Sequence, residues 1–159
     1  MNNAVVTFGV DIVNEARSWV GTPFLHQGRS KATVLDRGGC DCLGLLVGVA
    51  EALQLKAING NALQTFDERD YGHMPNGEKL KAVFSRVLMP IELMSMAPGD
   101  VLLMRLEKAP QHVAIVSDYR YGGLGLVHAL ASARKVVEHR LDEQWLSRIV
   151  QVYRVANPT

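Results

Sequence analysis

The stretch Gly39-Cys40-Asp41-Cys42-Leu43-Gly44-Leu45-Leu46 places a cysteine where a loop becomes a helix. From Leu43 onward, apolar residues recur at three- and four-residue steps, which predicts a helix to about Leu55. Residues 36–39 before it form a turn signal. Cys42 therefore falls in or next to the first helical turn, where unpaired backbone N–H groups and the helix macrodipole favour an anion. Because a thiolate is such an anion, we expect a reactive thiol of low pKa here.

The composition is that of an ordinary globular protein, and it predicts a single domain over residues 1–159. Apolar residues make up 48% of the 159-residue chain and charged residues 21%. A net charge of +1 gives no reason to expect nucleic acid or an anionic membrane as a partner. No apolar run approaches the roughly 20 residues of a membrane span. The N-terminus shows no signal-peptide pattern, so we expect cytoplasmic synthesis, with either a role in the cytoplasm or delivery outside the general secretory route.

The hydrophobic period changes between the two halves of the chain. The first half predicts helices at 10–20, 42–55 and 77–88, with a loop at 22–40 and no assignable element at 56–75. On the first helix, the apolar face contains Ile12, Val13, Ala16, Trp19 and Val20. The second half predicts strands at 101–106, 112–116, 124–130, 135–140 and 150–155, with a short helix at 143–146. Short connections imply antiparallel pairing, so we expect an α+β fold with N-terminal helices on a C-terminal sheet of about five strands.

Two histidines are candidates for the base that a cysteine nucleophile needs. His112 opens one predicted strand and His128 lies late in the next, so neighbouring antiparallel strands can bring them side by side, facing Cys42. One imidazole can act as base while the other fixes its tautomer. The first N–H groups of the Cys42 helix can form an oxyanion hole. The other three histidines are expected on the surface or in loops, namely His26, His73 and His139.

Simpler roles are open for several residues near this helix. Cys40 is expected to be a small buried hydrophobe, and Asp41 to be a helix cap. Cysteines separated by one residue are a poor disulfide pair. They also lack the usual spacing of a zinc site, so no metal or cofactor is expected. Trp19 and Trp145 are expected to serve packing.

Four motifs in order and spacing make the chain resemble the NlpC-type cell-wall cysteine peptidases. They are Gly21-Thr22-Pro23-Phe24 with Asp41-Cys42-Leu43-Gly44-Leu45-Leu46, then Pro98-Gly99-Asp100-Val101-Leu102-Leu103, His112-Val113-Ala114-Ile115-Val116 and Leu126-Val127-His128-Ala129. The forms at 22–28 and 40–44 resemble the branch found with phage tails and gene transfer particles. The resemblance implies a minimal papain-like α+β fold. It also implies Cys42 as nucleophile, His112 as base and His128 as its orienting partner.

The reaction implied by the resemblance is amide hydrolysis in peptidoglycan stem peptides, typically between D-glutamate and a diamino acid. Phage-type tail proteins are implied as partners and a tail particle as the location. The chain departs from the family at Leu43, which replaces a serine, and at Phe24, which replaces a tyrosine whose hydroxyl lies near the thiol. His26 is a candidate to supply that missing contact. Two alternatives stay open: a catalytically weak structural or tail-assembly protein, and a thiol acyltransferase or amidase of the same fold.

Overall fold

Helices in the first half and an antiparallel sheet in the second half make up the computed structural model, which describes residues 3–67, 77–106 and 111–156. The helices are α1 (Asn3–Arg17), α2 (Cys42–Leu53), α3 (Gly77–Val87) and α4 (Glu143–Leu146). The strands are β1 (Arg29–Ser30), β2 (Gly39–Cys40), β3 (Met89–Ile91), β4 (Val101–Met104), β5 (His112–Asp118), β6 (Leu124–Leu130), β7 (Lys135–Arg140) and β8 (Ile149–Arg154). Short 3-10 helices occupy Leu63–Phe66, Leu93–Ser95 and Ala131–Ala133. The predicted α+β class is confirmed.

The main sheet has six antiparallel strands in the order β3-β8-β4-β5-β6-β7, one more than expected. The additional strand, β3, follows α3 directly and pairs with β8 at the edge of the sheet. The sequence does not predict β3, because three residues are too few to show an alternating pattern. Pro90, in the middle of the strand, is compatible only with a position at the edge of a sheet. The small β1–β2 hairpin lies within the predicted loop at 22–40.

Helix α2 is the centre of the core. Its first nine residues, from Cys42 to Ala50, are all buried. This part of the helix is therefore surrounded by protein on all sides, which explains why it is apolar all round. The indole of Trp19 packs directly on Gly48, where an added Cβ would lie 2.0 Å from the ring. Glycine is therefore required at position 48 by this close approach. No helix of the described chain is long and apolar enough to cross a membrane.

The first helix differs from the prediction at both ends, since it runs over Asn3–Arg17 instead of 10–20. After Arg17 the chain tightens: the N–H of Trp19 donates to Ala16 and that of Val20 to Arg17, both three residues back. This tightening moves Val20 off the apolar face, and it is 47% exposed. The prediction for Val20 is therefore wrong, whereas Trp19 is buried as expected.

The sheet has two distinct faces because side chains alternate along each strand. The helix face packs with α2 into one core cluster and includes Val113, Ile115, Val127 and Ala129. The outer face forms a second cluster, which includes Ala114, Val116 and Leu126, and half-buried Trp145 of α4 packs against it. These two faces decide where the candidate site residues lie.

Candidate active site

Asp41 holds the start of α2 in place. Its carboxylate accepts a 2.8 Å hydrogen bond from the N–H of Gly44, which confirms the predicted cap. The same carboxylate accepts from the N–H of Gln27 at 2.9 Å and pairs with the Arg29 guanidinium at 3.0 Å. Residues 27–29 are therefore tied to the helix end that begins with Cys42.

Arg29 was not singled out from the sequence, yet it is the cation of this region. Its side chain is only 8% exposed and lies between two carboxylates, Asp41 and Asp67, with the Asp67 pair at 2.8 Å. A guanidinium suits this place because its fork can satisfy two acidic partners at once. A single arginine in a charged loop gives no signal in the sequence that it will be buried.

The Cys42 thiol lies at the open end of two strands. Its sulfur accepts hydrogen bonds from the backbone N–H groups of Val113 and Leu43. The N–H of Val116 points toward β4 and donates to the carbonyl of Asp100. Backbone N–H groups alternate in direction along a strand, so the N–H of Val113, three residues earlier, points the other way, toward β6. Pairing between β5 and β6 begins only at Ile115. The sulfur therefore takes the place of a strand acceptor where β5 and β6 have parted.

His112 and His128 are in direct contact, as their predicted strands suggested. His112 Nε2 lies 2.6 Å from His128 Nδ1, and the ring centroids are 4.9 Å apart. Both side chains are buried, at 4% and 0% exposure. The structure thus brings a thiol and an imidazole pair to adjacent places, since His112 directly precedes the residue whose N–H holds the sulfur.

We expected both imidazoles to lie on the same side of the sheet as Cys42, and this is wrong. Val113 and Val127 point to the helix face, so alternation turns His112 and His128 to the outer face. Cys42 belongs to the helix-face cluster together with Val113, whose N–H binds the sulfur. The thiol and the imidazole pair therefore lie at the same end of β5 but on different faces of the sheet.

His139 belongs to the same site, although we expected it on the surface. His139 Nε2 lies 2.9 Å from His128 Nε2, and its Nδ1 lies 3.0 Å from the carbonyl oxygen of Arg140. The indole of Trp145 contacts both rings, with centroids 5.0 Å from His128 and 4.9 Å from His139. Only the register of β6 on β7 brings these residues together, and the sequence does not fix that register.

Phe24 and His26, the other near-site candidates, lie on the segment before β1. The N–H of Phe24 bonds to the carbonyl of Arg134, and its side chain packs against the core cluster that contains Cys42. His26 is half-buried two residues further on, next to the Gln27 amide that Asp41 holds. His73 lies outside the described residues.

Burial sets the charge state of the resting site. It raises the pKa of the Cys42 thiol to about 12, and the negative charge of Asp41 acts in the same direction. The hydrogen bonds from Val113 and Leu43 lower that pKa by less. Burial, followed by the positive charge of Arg148, lowers the pKa of His112 to about 4. The expected low-pKa thiol is therefore wrong for the resting protein, which holds a neutral thiol beside a neutral imidazole.

His112, His128 and His139 form a row and do not converge on one point. His128 uses both of its ring nitrogens on its two neighbours, His112 and His139. Among the described residues, no group of three or more His, Cys, Asp or Glu side chains is arranged to hold a metal ion. Cys40 is a free thiol packed in the core, and burial raises its pKa to about 12.

Comparison with known proteins shows the fold to be that of NlpC/P60 proteins. No family model and no curated protein matches this sequence. An NlpC/P60 family protein from Bacillus cereus ATCC 10987 superposes with a TM-score of 0.62 at 19% identity, over 94% of this chain and 40% of that one. The NlpC/p60 domain of the peptidoglycan hydrolase SagA gives 0.56 at 21% identity, over 92% and 98%. An N-acetylmuramoyl-L-alanine amidase from Bacteroides uniformis ATCC 8492 gives 0.58 at 15% identity, over 94% and 99%.

The structural neighbours thus include NlpC/P60 proteins and amidases, and at these identities they establish the architecture alone. The chain spans less than half the length of the Bacillus cereus protein.

Proposed function

We propose that this protein is a cysteine-dependent hydrolase of amide bonds in peptidoglycan stem peptides. The observation that carries the proposal is the position of the Cys42 sulfur, held by the N–H of Val113 beside the buried His112–His128 pair. A nucleophile, a base and an orienting group close together are the parts that such chemistry needs; here the two imidazoles are in contact, and the thiol is bound at the residue that follows His112. Two of the structures with this fold are a peptidoglycan hydrolase and an amidase, which supports the choice of substrate.

The reaction begins from the neutral pair. His112 takes the proton of Cys42, and the sulfur attacks the amide carbonyl to form a tetrahedral intermediate. The Gly44 N–H is occupied by Asp41 and the Leu43 N–H by the Cys42 sulfur, so the N–H of Cys42 is the helix-start donor that can face the oxyanion. The His112 imidazolium then protonates the leaving amine. Water then attacks the thioester and gives a proton to His112. The carbon–sulfur bond breaks, the carboxylic acid leaves, and His112 returns the proton to the Cys42 sulfur.

Within stem peptides, the bond that we propose is the one between D-glutamate and the diamino acid. The resemblance of the motifs around Cys42, His112 and His128 to NlpC-type peptidases supports this choice. The bond between N-acetylmuramic acid and L-alanine is the second candidate, because an amidase of that name shares the fold. We further propose that the enzyme works on a phage-type tail, on the basis of the motif forms at 22–28 and 40–44.

Mass spectrometry of muropeptides before and after incubation with the purified protein tests the reaction. We expect new peptides that begin with the diamino acid, and none with the Cys42→Ala variant. A free stem peptide that begins with L-alanine would assign the amidase bond instead. Products formed only with added amine would indicate an acyltransferase, and unchanged muropeptides would support the structural alternative. Presence of the protein in purified tail particles tests the location separately.

A further inference from the structure

The third histidine of the row has no role in the reaction described so far. We propose that His139 is a positioning residue that fixes the tautomers of His128 and His112, so that His112 presents an unprotonated Nδ1 as the base. The assignment of tautomers stands on hydrogen bonds alone. Its catalytic meaning rests on the proposed function.

The argument begins at a group that can only accept. The carbonyl oxygen of Arg140 lies 3.0 Å from His139 Nδ1, so that nitrogen carries the proton. A neutral imidazole has one N–H, and His139 Nε2 is therefore an acceptor. His128 Nε2, 2.9 Å away, must donate to it, which leaves His128 Nδ1 as an acceptor. His112 Nε2, 2.6 Å away, must then donate in turn.

The ring nitrogen left at the end of this row is His112 Nδ1, and in this arrangement it holds a lone pair. The opposite arrangement is the only other one for three neutral rings in these contacts. In it, His128 donates from Nδ1 to His112 Nε2, and the proton of His112 moves to Nδ1. A ring protonated at its free nitrogen cannot accept the thiol proton there. The Arg140 carbonyl, acting through His139, thus selects the arrangement in which His112 is a competent base.

The surroundings keep the rings of His112 and His128 neutral and hold the row in place. Burial lowers the pKa of both His112 and His128, and the neighbouring His112 and His139 lower that of His128 further. The indole of Trp145 lies against His128 and His139 at ring-centroid distances of 5.0 and 4.9 Å. The Arg148 guanidinium lies 4.5 Å from the centroid of the Trp145 ring. Its positive charge disfavours the imidazolium form of His112. The two buried rings are thus kept neutral, and the bond to the Arg140 carbonyl gives the row its direction.

Nitrogen-15 NMR of the full-length protein determines the imidazole tautomers directly and does not require the protein to be active. Long-range nitrogen–proton correlations in the imidazole rings distinguish protonated from unprotonated nitrogens, and His112→Gln and His128→Gln assign the signals. We expect His112 and His128 to carry the proton on Nε2 and His139 on Nδ1. A wild-type spectrum with His112 protonated on Nδ1 overturns the proposal, whether or not the protein hydrolyses muropeptides.

Two substitutions of His139 test the consequence for turnover. His139→Phe keeps the aromatic contact with Trp145 but removes both hydrogen bonds, whereas His139→Gln keeps an oxygen that can accept from His128. We expect His139→Phe to lower kcat about 10- to 100-fold with KM unchanged, which is the usual effect of removing a residue that orients a reactive side chain without touching the substrate. It should also show a mixture of His112 tautomers, and His139→Gln should recover most of kcat and the single tautomer.

The two proposals fail in different ways. Full kcat in His139→Phe, or a single Nε2–H tautomer of His112 in that variant, overturns the role of His139. An inactive wild-type protein whose spectrum shows the expected tautomers contradicts the proposed function and leaves the assignment of the row standing. Should His139→Phe not fold, the wild-type spectrum decides the question by itself.

Discussion

The backbone N–H of Val113 donates to the Cys42 sulfur, so the thiol is bound to the residue that directly follows His112. The start of β5 thereby positions both the candidate nucleophile and the candidate base. This is possible only because β5 and β6 do not pair before Ile115. A strand end that parts from its neighbour leaves a backbone donor without a strand acceptor, and the sulfur uses it.

Cys42 and Cys40 form a matched pair for testing which thiol reacts. Cys42→Ala should abolish hydrolysis while the protein stays folded, because it removes the only thiol next to the imidazole pair. Cys40→Ala should leave kcat within about twofold and cost about 1 kcal/mol of stability, since it removes a small buried group. Muropeptide turnover and urea unfolding of both variants check this. Equal loss of turnover in the two would sink the assignment.

The acidic limit of activity should lie near the pKa of His112, which burial and Arg148 lower to about 4. His112 acts as a base only when neutral, so kcat/KM should be retained as the pH falls below 6.5 and be lost near 4. Arg148→Gln removes the positive charge, so its limit should move to higher pH. Arg86→Gln, on the exposed side of α3, is the matched control. A limit near 6.5 in the wild type contradicts the prediction.

Acid should destabilise the fold through the same rings. Burial, then the neighbouring His112 and His139, lowers the pKa of His128 to about 2. The unfolded chain binds protons on these histidines below about 6.5 and the folded chain does not, so this stability is full above 6.5 and lost as the pH falls toward 4. His128→Gln removes one such group and should reduce the slope of unfolding free energy by about 1.4 kcal/mol per pH unit between 5.5 and 4.5. Urea titrations at each pH measure it, and parallel slopes would count against a neutral buried His128.

Local pattern was enough to predict α2, its Asp41 cap and the strands β4 to β8. Each of these is set by residues a few positions apart, namely an acidic residue before an apolar helix or an alternating run between turns. The contact between His112 and His128 was also accessible, since neighbouring strands joined by a short turn must be antiparallel.

What could not be predicted depends on register and on burial. The place of His139 next to His128 follows from how β6 and β7 align, and a shift of one residue would turn it to the other face. The burial of Arg29 depends on Asp41 and Asp67, which meet it only in the folded chain. The raised pKa of Cys42 has the same origin, because a helix-start position predicts a thiolate only where solvent reaches it.

Asp41 should contribute both to stability and to the state of the thiol. Asp41→Ala removes the cap on Gly44, which costs about 0.5–2 kcal/mol, and takes away one of the two carboxylates that pair with the buried Arg29. Asp41→Asn keeps an acceptor for Gly44 but removes the charge that raises the pKa of Cys42. We expect Asp41→Asn to be the more stable variant and to be alkylated at Cys42 faster than the wild type at pH 8. Slower alkylation would contradict the proposed effect of the Asp41 charge on the thiol.

Phe24 and His26 pose the last question about this site. If a hydroxyl at position 24 helps to hold the reacting centre, as the resemblance to NlpC-type peptidases implies, its absence removes one polar contact. The loss of one oxyanion donor costs on the order of 10²-fold in rate. Phe24→Tyr should therefore raise kcat, unless His26 already supplies the contact, in which case His26→Ala should lower kcat with KM unchanged. Leu25→Ala, which changes an exposed residue between them, is the control for disturbance of the segment that Asp41 holds through Gln27. Unchanged kcat in both variants would mean that the site lacks no donor, and a fall in Phe24→Tyr would mean that the packing of Phe24 against the core matters more than its missing hydroxyl.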